Sequence, residues 1–317
     1  MGAGRLSRVG RSDNVPATAL QHGIGRGARA VSLYPAYGPG SRPMKPAIGL
    51  FSAMLACLCL LSSAALAAPA VVRVNGVDIA YVESGSGEPL VLIHGFGDCS
   101  TVWESVLPAL EKQYRVISME LRGHGSSGGF EGPFLFEDSA GDLLGLLDHL
   151  GLREVKAMGI SAGGMTLLHA AVREPERFKA MAVIGAADGF PEQARVIMRG
   201  TPGNMPPEVL AFFTACAVRG QAQVEHLLQQ FNGFQHNDDD IDLSPGELAK
   251  IRARTLIVHG DRDDFFPVQI PVRMYESIPV SQLWIVPGGG HVPIFDSNAK
   301  AFEETALRFL ADPGPAP

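Results

Sequence analysis

Two apolar rhythms alternate along the chain. Residues 71–83 hold two short alternating runs joined by Asn75-Gly76. That dipeptide tolerates the positive φ angles of a two-residue hairpin turn. Continuous apolar runs follow at 89–95, 114–120, 154–160, 178–185, 253–260 and 281–288. Short runs with no polar face predict strands buried on both sides, as in a parallel sheet covered by helices.

Between these runs the period becomes helical. Trp103, Val106, Leu107 and Leu110 recur at helical intervals within 103–112. Ala140, Leu143, Leu144, Leu147 and Leu150 form one stripe within 136–151, closed by Gly151. Residues 163–175 and 298–310 read as further helices. Strands alternating with helices predict an α/β chain: an eight-stranded, mostly parallel, doubly wound sheet whose hairpin supplies an antiparallel edge.

Two regions break the rhythm. Residues 188–250 are rich in Phe, Gln and Pro and carry no strand pattern, which predicts a helical cap over the C-terminal edge of the sheet. The cap would divide the core into 68–187 and 251–317. Within it, Ser244, Pro245 and Glu247 form a capping box with proline at the first helical position. The acidic run at 237–242 lacks the glycine and distal glutamate of a calcium loop, so it reads as a solvated turn. At the other end, residues 1–43 are Gly/Arg/Pro-rich, with no apolar period. They read as a disordered leader or as sequence upstream of a true start at Met44. Lys45, the apolar stretch 48–61 and Ala65-Leu66-Ala67 make 44–67 a secretory signal peptide, and predict a periplasmic or secreted protein. The alternative is an uncleaved membrane anchor, since 46–72 is uncharged and long enough to span a bilayer.

Charge narrows the partners. The whole chain carries a net −7; residues 1–67 hold seven Lys/Arg and one Asp, so the remainder carries −13. An acidic surface disfavours nucleic acid and anionic membranes, and nothing implies a partner protein. Cys99 and Cys216 remain after the signal segment. Buried free thiols are the expectation, with pairing left open.

The candidate chemistry begins with a duplicated motif. Gly-x-Ser-x-Gly occurs around Ser127 and around Ser161. Ser161 lies between a predicted strand and a predicted helix, where a sharp turn needs glycine on both sides and the helix N-terminus offers free N–H groups. Ser127 has no helix after it and reads as a loop serine. A serine hydroxyl needs a base, and the base needs an orienting acid. In this topology they follow in the order serine, acid, histidine at the ends of later strands. The loop at 259–267 offers Asp261, Asp263 and Asp264, and Asp188 follows the preceding strand; the loop at 288–295 offers His291 after three glycines. Among the other histidines, His94, His124, His149, His169 and His259 included, no pair has metal-ligand spacing, so neither a metal nor an organic cofactor is expected.

These elements together resemble the α/β-hydrolase superfamily, in particular its haloperoxidase-like and small esterase/lactonase branches, over about 70–312. The matching stretches are "HGFG" (94–97), "LRGHGSS" (121–127), "GISAGG" (159–164), "GDRDDFFP" (260–267) and "GGGH" (288–291). The resemblance implies an α/β-hydrolase fold with a triad of Ser161, Asp263 and His291. It also implies an oxyanion hole of the Phe96 and Ala162 N–H groups. Glu120 departs from the family's aspartate before "LRGHG" and is expected to order a loop. Such a triad implies hydrolysis of a small-molecule carboxylic ester or lactone, with Phe190, Phe212, Phe213, Phe231 and Phe234 as pocket or packing residues. A C–C bond, amide or perhydrolysis reaction on the same triad, and a non-catalytic binding role, are the alternatives.

Overall fold

The computed structural model describes residues 69–313, apart from 204, 238 and 239. The expected leader and signal segment, 1–43 and 44–67, lie outside the described residues. The strands are β1 (Ala70–Val74), β2 (Val77–Gly85), β3 (Glu88–Ile93), β4 (Tyr114–Met119), β5 (Val155–Ile160), β6 (Phe178–Ile184), β7 (Arg254–Gly260) and β8 (Ser281–Val286). They form one sheet in the order β1-β2-β4-β3-β5-β6-β7-β8. The pairs β1–β2 and β2–β4 are antiparallel, and every later pair is parallel. The hairpin therefore supplies the antiparallel edge, as its Asn75-Gly76 turn predicts.

The apolar runs are explained by burial on both faces. In β3, Leu90 and Leu92 pack with Trp103, Leu110 and Phe302 on one side of the sheet. Val91 and Ile93 pack with Leu143, Leu167 and Ile270 on the other. Each such side chain contributes about 1.5–3 kcal/mol relative to exposure.

The helices are α1 (Leu107–Leu110), α2 (Phe136–His149), α3 (Ala162–Arg173), α4 (Glu192–Arg199), α5 (Pro207–Ala215), α6 (Gln221–Gly233), α7 (Pro245–Leu248), α8 (Gln269–Ser277) and α9 (Ala299–Ala311). The single helix expected over 103–112 is instead a 3₁₀ turn at Ser100–Trp103 followed by the short α1. Pro108 lies at the start of α1, where its missing N–H costs nothing, but it cannot continue a helix begun at 103. The sequence pattern gives no warning of α8. Its buried Ile270 and Met274 are four residues apart, and Pro271 is tolerated in its first turn.

Residues 188–250 contain α4 to α7 and, among the described residues, no strand. The capping box of α7 forms: Glu247 N–H donates to Ser244 Oγ (3.3 Å), and Ser244 N–H donates to Glu247 Oε2 (2.8 Å). Side chains of this region bind the backbone of the loop after β4. The Arg219 guanidinium donates to the carbonyls of Gly125 (3.1 Å), Ser126 (3.0 Å) and Ser127 (2.8 Å). Gln223 Nε2 donates to the carbonyls of Gly123 (3.1 Å) and Gly125 (3.0 Å).

Two expectations are corrected here. The acidic run is not merely solvated. The Asp240 carboxylate accepts the N–H groups of Phe136 (2.6 Å) and Glu137 (3.0 Å), capping α2 from a distant part of the chain. The helix's own N-cap, Leu135, has no side-chain acceptor to offer. Nor are the cysteines free thiols: Cys99 and Cys216 form a disulfide, with Cα atoms 5.6 Å apart. The fold supplies this proximity, which a sequence separation of 117 residues conceals.

Candidate active site

Ser161 is the residue at which β5 turns into α3, and its backbone is strained, with φ 49° and ψ −117°. Sheet and helix hold it there. Its N–H donates to the Ile184 carbonyl on β6 (2.7 Å), and its own carbonyl accepts Met165 N–H (2.9 Å). The flanking glycines are required by backbone contact. A Cβ at Gly163 would strike the carbonyl oxygens of Ile93 and His94, and one at Gly159 would strike Gly163 itself. The first turn of α3 has no side-chain cap and no acidic residue, so its N–H groups and positive end face the serine unopposed.

His291 lies in the loop after β8 and Asp263 in the loop after β7, both at the carboxyl edge of the sheet. His291 Nε2 is 3.0 Å from Ser161 Oγ, and His291 Nδ1 is 2.9 Å from Asp263 Oδ2. A carboxylate at Nδ1 fixes the proton there and leaves the Nε2 lone pair facing the serine hydroxyl. The other Asp263 oxygen accepts the N–H groups of Phe265 (2.7 Å) and Phe266 (3.0 Å), so the carboxylate cannot turn away. Burial pushes the Asp263 carboxyl up. The His291 ring beside it, their hydrogen bond and Phe266 N–H more than offset burial and hold it below the ordinary aspartate value.

The turn at 95–98 faces the same edge. Asp98 N–H donates to the Gly95 carbonyl (3.2 Å), and Gly97 at φ 82° occupies the position where such a turn needs glycine. His94 Nε2 accepts Leu121 N–H (3.1 Å), so Nδ1 carries the proton and donates it to the Gly95 carbonyl (2.7 Å). Both expected oxyanion donors thus come from constrained backbone: Phe96 from this turn, Ala162 from the first residue of α3.

The remaining candidates occupy other roles. Ser127 Oγ donates to the Glu120 carbonyl (2.7 Å) and accepts Ala80 N–H (2.9 Å), so its hydroxyl is committed to the backbone. Glu120 orders a loop, accepting Ser126 N–H (2.6 Å) and Ser100 Oγ–H (3.0 Å). Asp188 is engaged by the Arg273 guanidinium, with Nε donating at 2.7 Å. Asp261 accepts Gly288 N–H (2.6 Å), tying the two loops together. Burial holds His124, His169 and His259 in their neutral forms, and His259 Nε2–H donates to the Phe266 carbonyl (2.9 Å). His259 Nδ1 has no partner, so this ring is only half satisfied. Asp98, Cys99 and Cys216 lie together, but the disulfide leaves no thiolate there to ligate a metal.

Phenylalanines join the two sides of the site. The Phe96 ring meets Phe134 (5.4 Å), Phe234 (5.0 Å) and Phe231 (6.0 Å), and Phe231 meets Phe265 (6.2 Å), whose ring lies 4.9 Å from His291. Of the five expected here, Phe213 and Phe234 are buried as packing, while Phe190, Phe212 and Phe231 are half-buried. Phe265 and Phe266 were not singled out by the sequence pattern. Their position two and three residues after the acid was the available signal.

Residues 88–219 match the family model for the alpha/beta hydrolase fold. The chain is 27% identical over 263 residues to a 2-hydroxy-6-oxo-2,4-heptadienoate hydrolase of Pseudomonas putida, covering 76% of this chain and 95% of that protein. Among solved structures it resembles a meta-cleavage product hydrolase from Pseudomonas fluorescens (TM-score 0.64, 22% identity, covering 76% of this chain and 97% of that one). It likewise resembles an enol-lactonase from Burkholderia xenovorans (TM-score 0.63, 22% identity, covering 77% of this chain and all of that one). At these identities the structural likenesses establish the fold.

Proposed function

Since the chain belongs to the alpha/beta hydrolase superfamily, we propose that it is a serine hydrolase cleaving a carboxylic ester or lactone of a small, neutral, largely apolar molecule. The observation that carries this reading is the hydrogen-bonded line from Ser161 Oγ through His291 to Asp263. His291 takes the hydroxyl proton as Ser161 attacks the carbonyl carbon. The Phe96 and Ala162 N–H groups receive the developing oxyanion, and the positive end of α3 adds to their field. His291 then protonates the leaving alkoxide. Water, deprotonated by the same ring, releases the acid from the acyl-enzyme. Asp263 keeps the imidazole in the required tautomer and stabilises its charged form.

The relatives' names support a second reading, hydrolysis of an anionic dienoate. A carboxylate substrate needs a cation or several N–H or O–H donors near the serine. In 188–250 the arginines are engaged: Arg195 donates to the carbonyls of Phe190, Gln235 and Asn237, Arg199 pairs with Glu192, and Arg219 binds the 125–127 carbonyls. Arg273 holds Asp188, and Arg122 holds Asp138 and Asp142. The phenylalanine lining favours a neutral acyl group over a charged one.

The test is a panel of p-nitrophenyl esters of increasing acyl length, neutral lactones and a dienoate bearing a carboxylate. Turnover of the neutral esters or lactones, abolished in Ser161→Ala, is expected. Turnover of the dienoate alone would replace this reading with the second. We also propose that the chain acts after export, on the signal pattern at 44–67 and on a disulfide of the kind that persists in oxidising compartments. Sequencing of the exported product is expected to start after Ala67; an intact 44–67 segment in a membrane fraction would refute this.

A further inference from the structure

The turn that carries the Phe96 N–H is cross-linked to the cap. In a planar trans peptide the carbonyl and the following N–H point in opposite directions. Whatever holds the Gly95 carbonyl therefore aims the Phe96 N–H. Two donors hold it, His94 Nδ1–H (2.7 Å) and Asp98 N–H (3.2 Å). The next link is Asp98, whose Oδ1 accepts Cys99 N–H (2.8 Å). Cys99 is in turn bonded to Cys216, at the C-cap of α5. One helical turn earlier on α5, the Phe213 ring lies so close over Gly97 that an added Cβ would come within 2.7 Å of it. α5 thus bears on the turn twice, through the ring of Phe213 near its C-terminal end and through a covalent bond at Cys216, the residue after its last.

We propose that the Cys99–Cys216 cystine is a positioning element of the oxyanion hole, so that the hydrolytic rate of this chain depends on its redox state. This rests on the serine-hydrolase reading above. Neither sulfur touches the substrate; the cystine acts by fixing the turn. A dithiol reductant reverses the state. One of its thiolates attacks a cystine sulfur and displaces the other cysteine as a thiolate, which takes a proton. The second thiol of the reductant then resolves the mixed disulfide. Two electrons and two protons pass to the protein, leaving two cysteine thiols, and the reductant becomes a cyclic disulfide. With the bond open, α5 keeps its Phe213 contacts with Gly97 and Phe96 and places Cys216 Sγ 3.6 Å from Asp98 Oδ1, but the turn loses its covalent anchor, and the Phe96 N–H is held less rigidly by the two donors to the Gly95 carbonyl. The sheet, α2 and α3 do not depend on the bond, so the triad stays assembled.

Both cysteines are at most 9% exposed, so reduction is slow and its stages can be followed. The experiment treats the purified, oxidised protein with dithiothreitol. Thiol content, circular dichroism and ester kinetics are measured together. A Cys99→Ser/Cys216→Ser variant is measured beside it. Losing an oxyanion donor outright lowers kcat by about 10²–10³, and loosening one is expected to lower it about tenfold or more. KM should change less than threefold. The inhibition constant of an arylboronic acid, whose tetrahedral adduct places an oxygen in the same hole, should rise in step with the loss of kcat/KM. The acid limb of the kcat/KM profile should not move. Reoxidation should restore the rate, and the double variant should be slow and indifferent to the reductant. If oxidised protein hydrolyses no ester, the serine-hydrolase reading fails. If it does, kcat within twofold after complete reduction overturns the positioning role. So does activity that falls only as the helical signal falls, because the bond would then merely support the fold.

Discussion

Asp98 gives a stability measurement whose size follows from its surroundings. Its carboxyl is 4% exposed; Oδ1 accepts Cys99 N–H, and Oδ2 has no partner. Burial pushes this carboxyl up to about 7, with Cys99 N–H pulling weakly the other way, from an ordinary value of 3.8. Below the ordinary value both folded and unfolded chains hold the proton, and pH has no effect through this group. As pH rises from there to about 7, the folded chain keeps a proton that the unfolded chain has released. Folding stability therefore falls by about 1.4 kcal/mol per pH step. Over roughly three such steps the loss is at most about 4 kcal/mol. Asp98→Asn removes it. The amide still accepts Cys99 N–H, but its NH₂ is buried without an acceptor, a cost of about 1–3 kcal/mol that does not vary with pH. The diagnostic quantity is therefore the change with pH in the stability difference between variant and parent. Urea unfolding with the disulfide intact, at intervals from pH 4 to pH 8, should show the variant gaining on the parent by about 2–4 kcal/mol as pH rises. A difference that stays flat across the range would refute the assignment of a buried, unsatisfied carboxyl to this turn.

Two further outcomes follow from the hydrogen bonds. Asp263→Asn keeps the acceptor for Phe265 and Phe266 N–H and turns an amide NH₂ towards His291 Nδ1, which forces the proton onto Nε2 and removes the base. kcat for an ester should fall about 10⁴-fold with the unfolding midpoint little changed; a loss under tenfold would mean that the carboxylate does not set the tautomer. Asp240→Ala uncaps α2 and should lower stability by about 1–2 kcal/mol, read by urea unfolding, with faster hydrogen exchange at Phe136 and Glu137; unchanged exchange at those two amides would show that the cap comes from elsewhere.

Much of the sheet was legible because its strands are buried on both faces. In β3 successive side chains enter opposite clusters, so neither face could be polar, and the apolar run is the direct trace of that burial. The turn at Ser161 was legible for a related reason. Only glycine fits where Gly159 and Gly163 meet backbone, so a backbone contact is written into the sequence. The acid was less so, since Asp261, Asp263 and Asp264 share one loop and the resemblance, not the residue pattern, selected among them. Contacts between distant segments left no local mark. Asp240 caps a helix about a hundred residues away, and Cys216 bonds to a residue 117 positions earlier; each looks locally like a turn residue or a buried thiol. α8 was missed because its proline and mixed polarity hide a two-residue buried stripe that only the packed sheet reveals.

The central claim is that Ser161 is a nucleophile activated by His291. Intact-protein and peptide mass spectrometry after treatment with a fluorophosphonate probe tests it most directly. One covalent adduct per chain, mapped to Ser161 and absent from folded Ser161→Ala and His291→Ala variants, is the result predicted. Folded, oxidised protein that takes no label, or that takes it on another residue, would contradict the account.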